Sequence, residues 1–421
     1  MATSTAFGDP DAGQPGVVEL EQRHVLQNYA RYPLVIEQGR GAAVYDDKGK
    51  RYVDFISGIG VNALGHAHPR ILKVVREQVG RLVHCSNLYY HRYQGPLAAR
   101  LAELSGLERV FFANSGAEAM EGAIKMARAF GARQTAGKCE IVALENSFHG
   151  RTLGALSITG QSKYRTDFEP LLPGVRFVPV HDAGQLEAAV GDQTAAVVLE
   201  PILGEGGIVA LSREFAQAAA ELARRHDALL IFDEIQSGLG RTGAYFAFQL
   251  WNQEHRPPIL PDVLVLAKPL GCGFPIGALL ANERAAAAIG QGMHGSTFGG
   301  GALVCRVALE FLAVLPDLLP AIRENGRFFR RRLQTLVDKY EFVREVRGEG
   351  LMVGLELSLP AKPFVTQALE RGFLINSTHD TVLRFLPPYV IEQKEITRLT
   401  DALDRMFGQI QTPPPGGAQQ V

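Results

Sequence analysis

The sequence predicts an α/β protein built on a mostly parallel sheet, and three observations carry that prediction. Short aliphatic runs recur through the middle of the chain: VFFAN (110–114), EIVALE (140–145), AAVVLEP (195–201), ALLIFDE (228–234) and DVLVLAK (262–268). Strands that read as continuous apolar runs are those covered on both faces, as in parallel sheets. Helical patterns stand between most of them. In SGAEAMEGAIKMARAFGA, Met120, Ala123, Ile124 and Ala127 fall on one face, and EFAQAAAELARRH (214–226) is a second such stretch. Finally, Glu200, Asp233 and Lys268 stand at the ends of three of the runs, where open α/β sheets place their ligands.

Each element has its own justification. Ser115 and Glu118 have the spacing of a capping box and mark a helix start at Ser115. The C-terminal part changes character: FVREVRGEGLMVGLELSL (342–359) reads as two strands around Gly348 and Gly350. FLINST and VLRFLPP follow, then a final helix near EITRLTDALDRMFGQI. This is a smaller α+β unit, which residues of about 19–64 are expected to join. Residues 1–18 are small, polar and rich in Gly and Pro and read as a disordered lead; the tail 412–421 reads likewise.

Composition narrows the function classes. At 421 residues the chain suggests about two domains. A net charge of −1 leaves no basic excess to condense on nucleic acid or an acidic membrane. The four cysteines, Cys85, Cys139, Cys272 and Cys305, form no CxxC pair, which argues against a thiol-redox motif or a zinc knuckle. No apolar run approaches the roughly 20 residues of a membrane span. The first residues carry neither the basic start of a signal peptide nor the arginines of a transit peptide, so the cytoplasm is the expected compartment. His66 and His68 in GHAHP lack a third ligand at useful spacing and are assigned to a loop; no metal is expected.

Four motifs carry candidate chemistry. In ALLIFDEIQSGLGRTG, Asp233 follows an aliphatic strand, where a carboxylate is costly without a cationic partner. A protonated pyridine nitrogen is one such partner; an aspartate that merely leaves the sheet for solvent fits the run equally well. In DVLVLAKPLGCGFPIGA, Lys268 enters a Gly-rich turn. Desolvation there would favour the neutral amine that forms Schiff bases, although a strand-end lysine with its head in water is the commoner case. FFANSGAEA has the strand–turn–helix form of a phosphate cup, or of plain capping. In ENSFHGRTLGALS, Phe148 could cover a flat ring and Arg151 could hold a carboxylate through two parallel hydrogen bonds, or the two are a core aromatic and a surface arginine.

Taken together, VNALGHAHP, FFANSGAEA, FHGRT, EPILGEGG, LLIFDEIQSGLGRTG, LAKPLGCGFPIGA and HGSTFGG, in this order, closely resemble the class III (fold type I) aminotransferases, and most closely their acetylornithine branch. The resemblance runs from about residue 20 to about residue 410. It implies a large domain (65–300) with a seven-stranded, mostly parallel sheet that binds pyridoxal 5'-phosphate, and a small α+β domain built from 19–64 and 301–411. It implies that Lys268 is the Schiff-base lysine and moves the proton, and that Asp233 pairs with the pyridine nitrogen. Gln236 would face the ring hydroxyl, Phe148 would stack on the ring, and Ser115, Gly116 and Ala117 would bind phosphate. Thr297 would reach the phosphate of a neighbouring subunit, so that a homodimer shares its sites. Arg151 would hold the substrate α-carboxylate, Ser296 would contact substrate, and Glu205 would mask Arg384 until a dicarboxylate acceptor arrives. Ping-pong kinetics follow from this scheme. The chain departs from the family at Leu203, often Gln; at Pro269 and Cys272, which alter the glycines after the lysine; and at Gly300–Ala302, often GGN-Pro. None of these removes a catalytic group.

The expected reaction is N2-acetyl-L-ornithine plus 2-oxoglutarate giving N-acetyl-L-glutamate 5-semialdehyde plus glutamate, in arginine biosynthesis. Ile59 carries the donor choice: ornithine δ-aminotransferases tend to have an aromatic residue there, whereas an aliphatic one suits an acylated α-nitrogen. Succinylornithine, 4-aminobutyrate and lysine-pathway amines are alternative donors that use the same residues. From other classes, a PLP-dependent aminomutase or racemase would have less use for a Glu205–Arg384 switch. Intact Lys268, Asp233 and Arg151 argue against a non-catalytic binding protein. A nicotinamide dehydrogenase lacks its GxGxxG turn.

Overall fold

A computed structural model describes residues 16–253 and 257–410. The five aliphatic runs are strands, joined by two more: β1 Arg109–Ala113, β2 Glu140–Leu144, β3 Val175–Val178, β4 Thr194–Leu199, β5 Leu229–Asp233, β6 Val263–Leu266 and β7 Gly277–Ala281. They form one sheet in the order β1-β7-β6-β5-β4-β2-β3. Only β7 runs antiparallel to its neighbours. The sheet is buried on both faces because successive side chains point to opposite sides. Ile141, Ala143, Ala196, Val198, Leu229, Ile231, Val263 and Val265 pack with Met120, Ala123, Ile124 and Ala127 of the helix Gly116–Gln134. Val142, Leu144, Val197, Leu199, Leu230, Phe232, Leu264 and Leu266 face the other way, toward Phe215, Ala216 and Ala219 of the helix Arg213–Arg225.

Both ends of the chain supply the smaller sheets. Strands Ile36–Arg40, Ala43–Asp46 and Arg51–Asp54 are antiparallel, and Phe373–Leu374 adds to Arg51–Asp54 in parallel. A second sheet has the order Val343–Glu349, Met352–Leu357, Val382–Phe385, Asn376–Thr378, all antiparallel. The helix Gln393–Phe407 closes this part. A 38-residue helix, Ala302–Lys339, contains Pro316 and Pro320 and buries Phe311, Leu315, Ile322 and Phe329. The expected lead 1–18 needs correction at its end: Val17 and Val18 open a helix, Val17–His24, and the rest of the lead lies outside the described residues. The tail 412–421 also lies outside them. Among the described residues, no helix is long and apolar enough to cross a membrane.

This topology positions the site. Because β1, β4, β5 and β6 run parallel, their carboxyl ends share one edge of the sheet. Ser115 lies two residues beyond β1, Glu200 one beyond β4, Asp233 ends β5 and Lys268 lies two beyond β6.

Candidate active site

A cavity of about 280 Å³ opens at that edge. Gly116, Ala117, Phe148, Arg151, Glu205, Asp233, Gln236 and Lys268 line it, together with His149, Gly150, Glu200, Ile235 and Ala267. Nine of the residues singled out in the sequence, Glu200 among them, therefore meet around one space. A larger cavity of about 480 Å³ between Arg31–Ile36 and the helix Lys362–Glu370 is mostly apolar; its Asp54–His66 pair (2.9 Å) is also held by Ile56 N and Ser57 N.

Asp233 is fixed from two sides. Its Oδ1 accepts from Ile235 N (3.0 Å) and its Oδ2 is 2.7 Å from His149 Nδ1. Both side chains are almost wholly buried. Burial opposes charge on His149, but the hydrogen bond to Asp233 and the charges of Asp233 and Glu200 prevail and raise its pKa. Glu200 accepts from Phe148 N (2.8 Å) and Gly204 N (3.1 Å). Burial, with Asp233 adding, pushes its pKa up to about 7. Neither His149 nor Glu200 was assigned a role from the sequence. The histidine beside Phe148 and the glutamate at the end of β4 were the available signals, but their partners come from other strands.

Lys268 opens a 3-10 turn, Lys268–Gly271, with Pro269 in its first turn, where the missing N–H costs nothing. Burial pushes the lysine below its ordinary pKa; Glu205 and Asp233 oppose this and Arg384 assists it. Cys272 ends the turn in the left-handed region (φ 48°), a conformation that favours glycine.

Arg384, on the strand Val382–Phe385, is 2% exposed and pairs through Nη1 with Glu205 Oε1. It also donates to Gly204 O (3.3 Å) and, through Nε, to Asn376 Oδ1 (3.3 Å). Burial would raise the Glu205 pKa, but Arg384 leads in lowering it, followed by Lys268 and Gln236. Arg151 is exposed at the cavity rim, its guanidinium 4.0 Å from the Tyr164 ring centre and 5.5 Å from that of Phe148.

Ser115 caps the helix Gly116–Gln134: its Oγ accepts from Glu118 N (3.1 Å). The returning bond of the capping box goes to Asn114 N, not Ser115 N (2.9 Å to Glu118 Oε2). Thr297 and Ser296 do not line the cavity of their own chain. Ser296 Oγ accepts from Asn114 Nδ2 (3.1 Å) and Gly299 N (2.9 Å), which fix its place within the chain. Thr297 is exposed, next to Phe298, also exposed.

The cavity offers what a flat, phosphate-bearing pyridine ring needs. The first turn of a 19-residue helix presents free N–H groups. Gly116 and Gly150 line the space without side chains, so backbone borders it directly. Gln236 Oε1 is buried without a partner and awaits a donor.

Fold and site thus define a pyridoxal-phosphate transaminase architecture, and comparison with known proteins gives the family. The family profile described as aminotransferase class-III matches residues 25–407. The chain belongs to the class-III aminotransferases, and its cofactor is pyridoxal 5'-phosphate. It is 46% identical over 400 residues to acetylornithine aminotransferase of Methanocaldococcus jannaschii, covering 94% of this chain and 99% of that one. The crystal structure of ornithine aminotransferase from Toxoplasma gondii ME49 superposes with a TM-score of 0.86 at 35% identity, over 92% of this chain and 93% of that one. N-acetylornithine aminotransferase from Stenotrophomonas maltophilia K279a does so with a TM-score of 0.80 at 34% identity, over 93% and 100%.

Proposed function

We propose that the enzyme transfers the δ-amino group of N2-acetyl-L-ornithine to 2-oxoglutarate, yielding N-acetyl-L-glutamate 5-semialdehyde and glutamate in arginine biosynthesis. The observation that carries this reading is the Glu205–Arg384 pair beside Lys268. An arginine left unpaired while buried is costly, so a site holding one under a removable glutamate suits two substrates that differ by a carboxylate. The long ω-amino donor uses the masked arginine; the oxo-acid acceptor displaces the mask. The relatives named acetylornithine aminotransferase support the same donor. So does Ile59, 39% exposed and next to Gly60, whose Cβ position is 3.9 Å from Lys268 Cδ.

The same reading assigns a role to each residue at the cavity. Bound pyridoxal phosphate supplies an electron-accepting ring that carries the amino group between the two half-reactions. Asp233, oriented by His149, would pair with the ring nitrogen. Gln236 offers its free oxygen to the ring hydroxyl, and Phe148 covers the ring. Ser115, Gly116 and Ala117 hold the phosphate. Lys268, with its pKa lowered by burial, is the covalent anchor and the group that moves protons at Nζ. Arg151 binds the donor carboxylate. Thr297 reaches across to a second copy's phosphate in a homodimer. That dimer is supported by an exposed apolar surface containing Leu88, Tyr89, Tyr90 and Phe298.

The test is the cofactor absorbance of the purified protein. Acetylornithine alone is expected to convert it and 2-oxoglutarate to restore it, with glutamate as co-product and turnover lost in Lys268→Ala. Equal or better turnover of free ornithine would overturn the donor assignment. Light scattering that returns a monomer with full activity would overturn the shared site.

A further inference from the structure

The strand Asn376–Thr378 pairs with Val382–Phe385, so that Asn376 faces Arg384 and Thr378 faces Val382. This ladder touches Glu205 twice. Arg384 takes the carboxylate, and the buried Thr378 donates its Oγ1 proton to the Glu205 backbone oxygen (2.7 Å). On the other side, Gly204 N donates to Glu200 (3.1 Å), and a Cβ on Gly204 would overlap Gln236. Arg384 is itself held by Asn376 Oδ1. The main chain at Glu205 is therefore secured before and after the residue, by groups that make no use of its carboxylate.

We propose that Thr378 is a positioning residue for the acceptor half-reaction: it pins the Glu205 backbone to the ladder that carries Arg384, so that the mask lifts by side-chain rotation about a fixed pivot. The inference rests on the masking role given to Glu205 and deepens it. With the pivot fixed, the carboxylate leaves Arg384 while staying near Gln236 and Lys268, which line the same cavity. A released backbone lets Glu205 follow Arg384 and compete with the incoming carboxylate. The amine donor, which uses the closed pair, does not feel this competition. Thr378 therefore selects between dicarboxylate and monocarboxylate ligands without touching either.

The holoenzyme provides the test, with glutarate as an unreactive dicarboxylate probe measured by calorimetry beside the two half-reactions. Thr378→Val keeps the volume and removes the donor. It is expected to weaken glutarate binding and raise the 2-oxoglutarate KM by roughly five- to tenfold, the worth of one hydrogen bond. The donor half-reaction is expected to stay within about twofold, and Thr378→Ser to restore the acceptor side. Unchanged glutarate affinity, parallel losses in both half-reactions, or no rescue by serine would each overturn the proposal. If Thr378→Val does not accumulate as folded protein, Thr378→Ala carries the same expectations. Arg384→Ala separates the two levels of the argument: if it leaves glutarate affinity intact, the masking role itself fails, whereas loss there with no effect at Thr378 removes only the pivot.

Discussion

Two acid–base pairs border the same cavity and differ in how they are held. Asp233 and His149 are enclosed, with side chains 3% and 0% exposed, and Asp233 has a second anchor in Ile235 N. Glu205 and Arg384 are built asymmetrically: the arginine is 2% exposed and the glutamate 21%. The arginine has other acceptors in Gly204 O and Asn376 Oδ1, whereas the Glu205 carboxylate, paired with Arg384, keeps part of its surface open. On the roles proposed above, the charge that stays constant is enclosed and the one that yields is left partly exposed.

That contrast can be broken experimentally. The largest effect is expected from Asp233→Asn, which keeps the shape and removes the charge. Both half-reactions should slow by on the order of 10²–10³-fold, as read by stopped-flow absorbance. A loss confined to one half would show that the pair is not constant after all. Glu205→Ala comes next and should divide the halves. With Arg384 unmasked, acetylornithine loses roughly tenfold in kcat/KM while glutamate gains as a donor; equal change in both would remove the mask.

A third test compares the acids around the locked pair. Glu200 and Glu234 are buried and pushed up to about 7 and about 8 from an ordinary 4.5. The folded state thus holds protons that the unfolded state has released, so stability falls as pH rises from about 4.5 to 8. His149, also raised, acts in the same direction. The thermal midpoint of the wild type should therefore decline between pH 6 and 8. Glu234→Gln, which keeps an acceptor for Ala247 N or Phe248 N, should flatten that decline; an unchanged slope would place the proton elsewhere. The smallest effect belongs to Cys272→Gly. Relief of the left-handed residue offsets the added freedom of the unfolded chain, for a net gain of no more than about 1 kcal/mol, visible as a slight rise in midpoint with activity unchanged.

Much of this was legible in the sequence because it is local. A strand that ends in Asp233 or leads into Lys268 is read from a few consecutive residues, and the helix face of Met120, Ala123, Ile124 and Ala127 is set by period alone. What escaped depends on distance or on exceptions. Glu205 and Arg384 lie 179 residues apart and were linked only through family resemblance. Thr378 and His149 acquire their meaning from partners on other elements. The 38-residue helix was hidden by Pro316 and Pro320, which ordinarily break one. Ser296 was placed at the substrate by its motif; within the chain its oxygen accepts from Asn114 and Gly299, contacts that no local pattern announces.

The position of β1 bears on how the protein is made. Its only partner in the sheet is β7, with Ala113 opposite Gly277. A ribosome releasing the chain from its N-terminus exposes the helix-capping turn at Ser115 long before β7 exists to hold it. At roughly 5–20 residues per second, the nascent turn waits about 10–30 s for its support, and Arg384 arrives later still. The turn at Ser115 is therefore held in its final place only after the strand Gly277–Ala281 has been made.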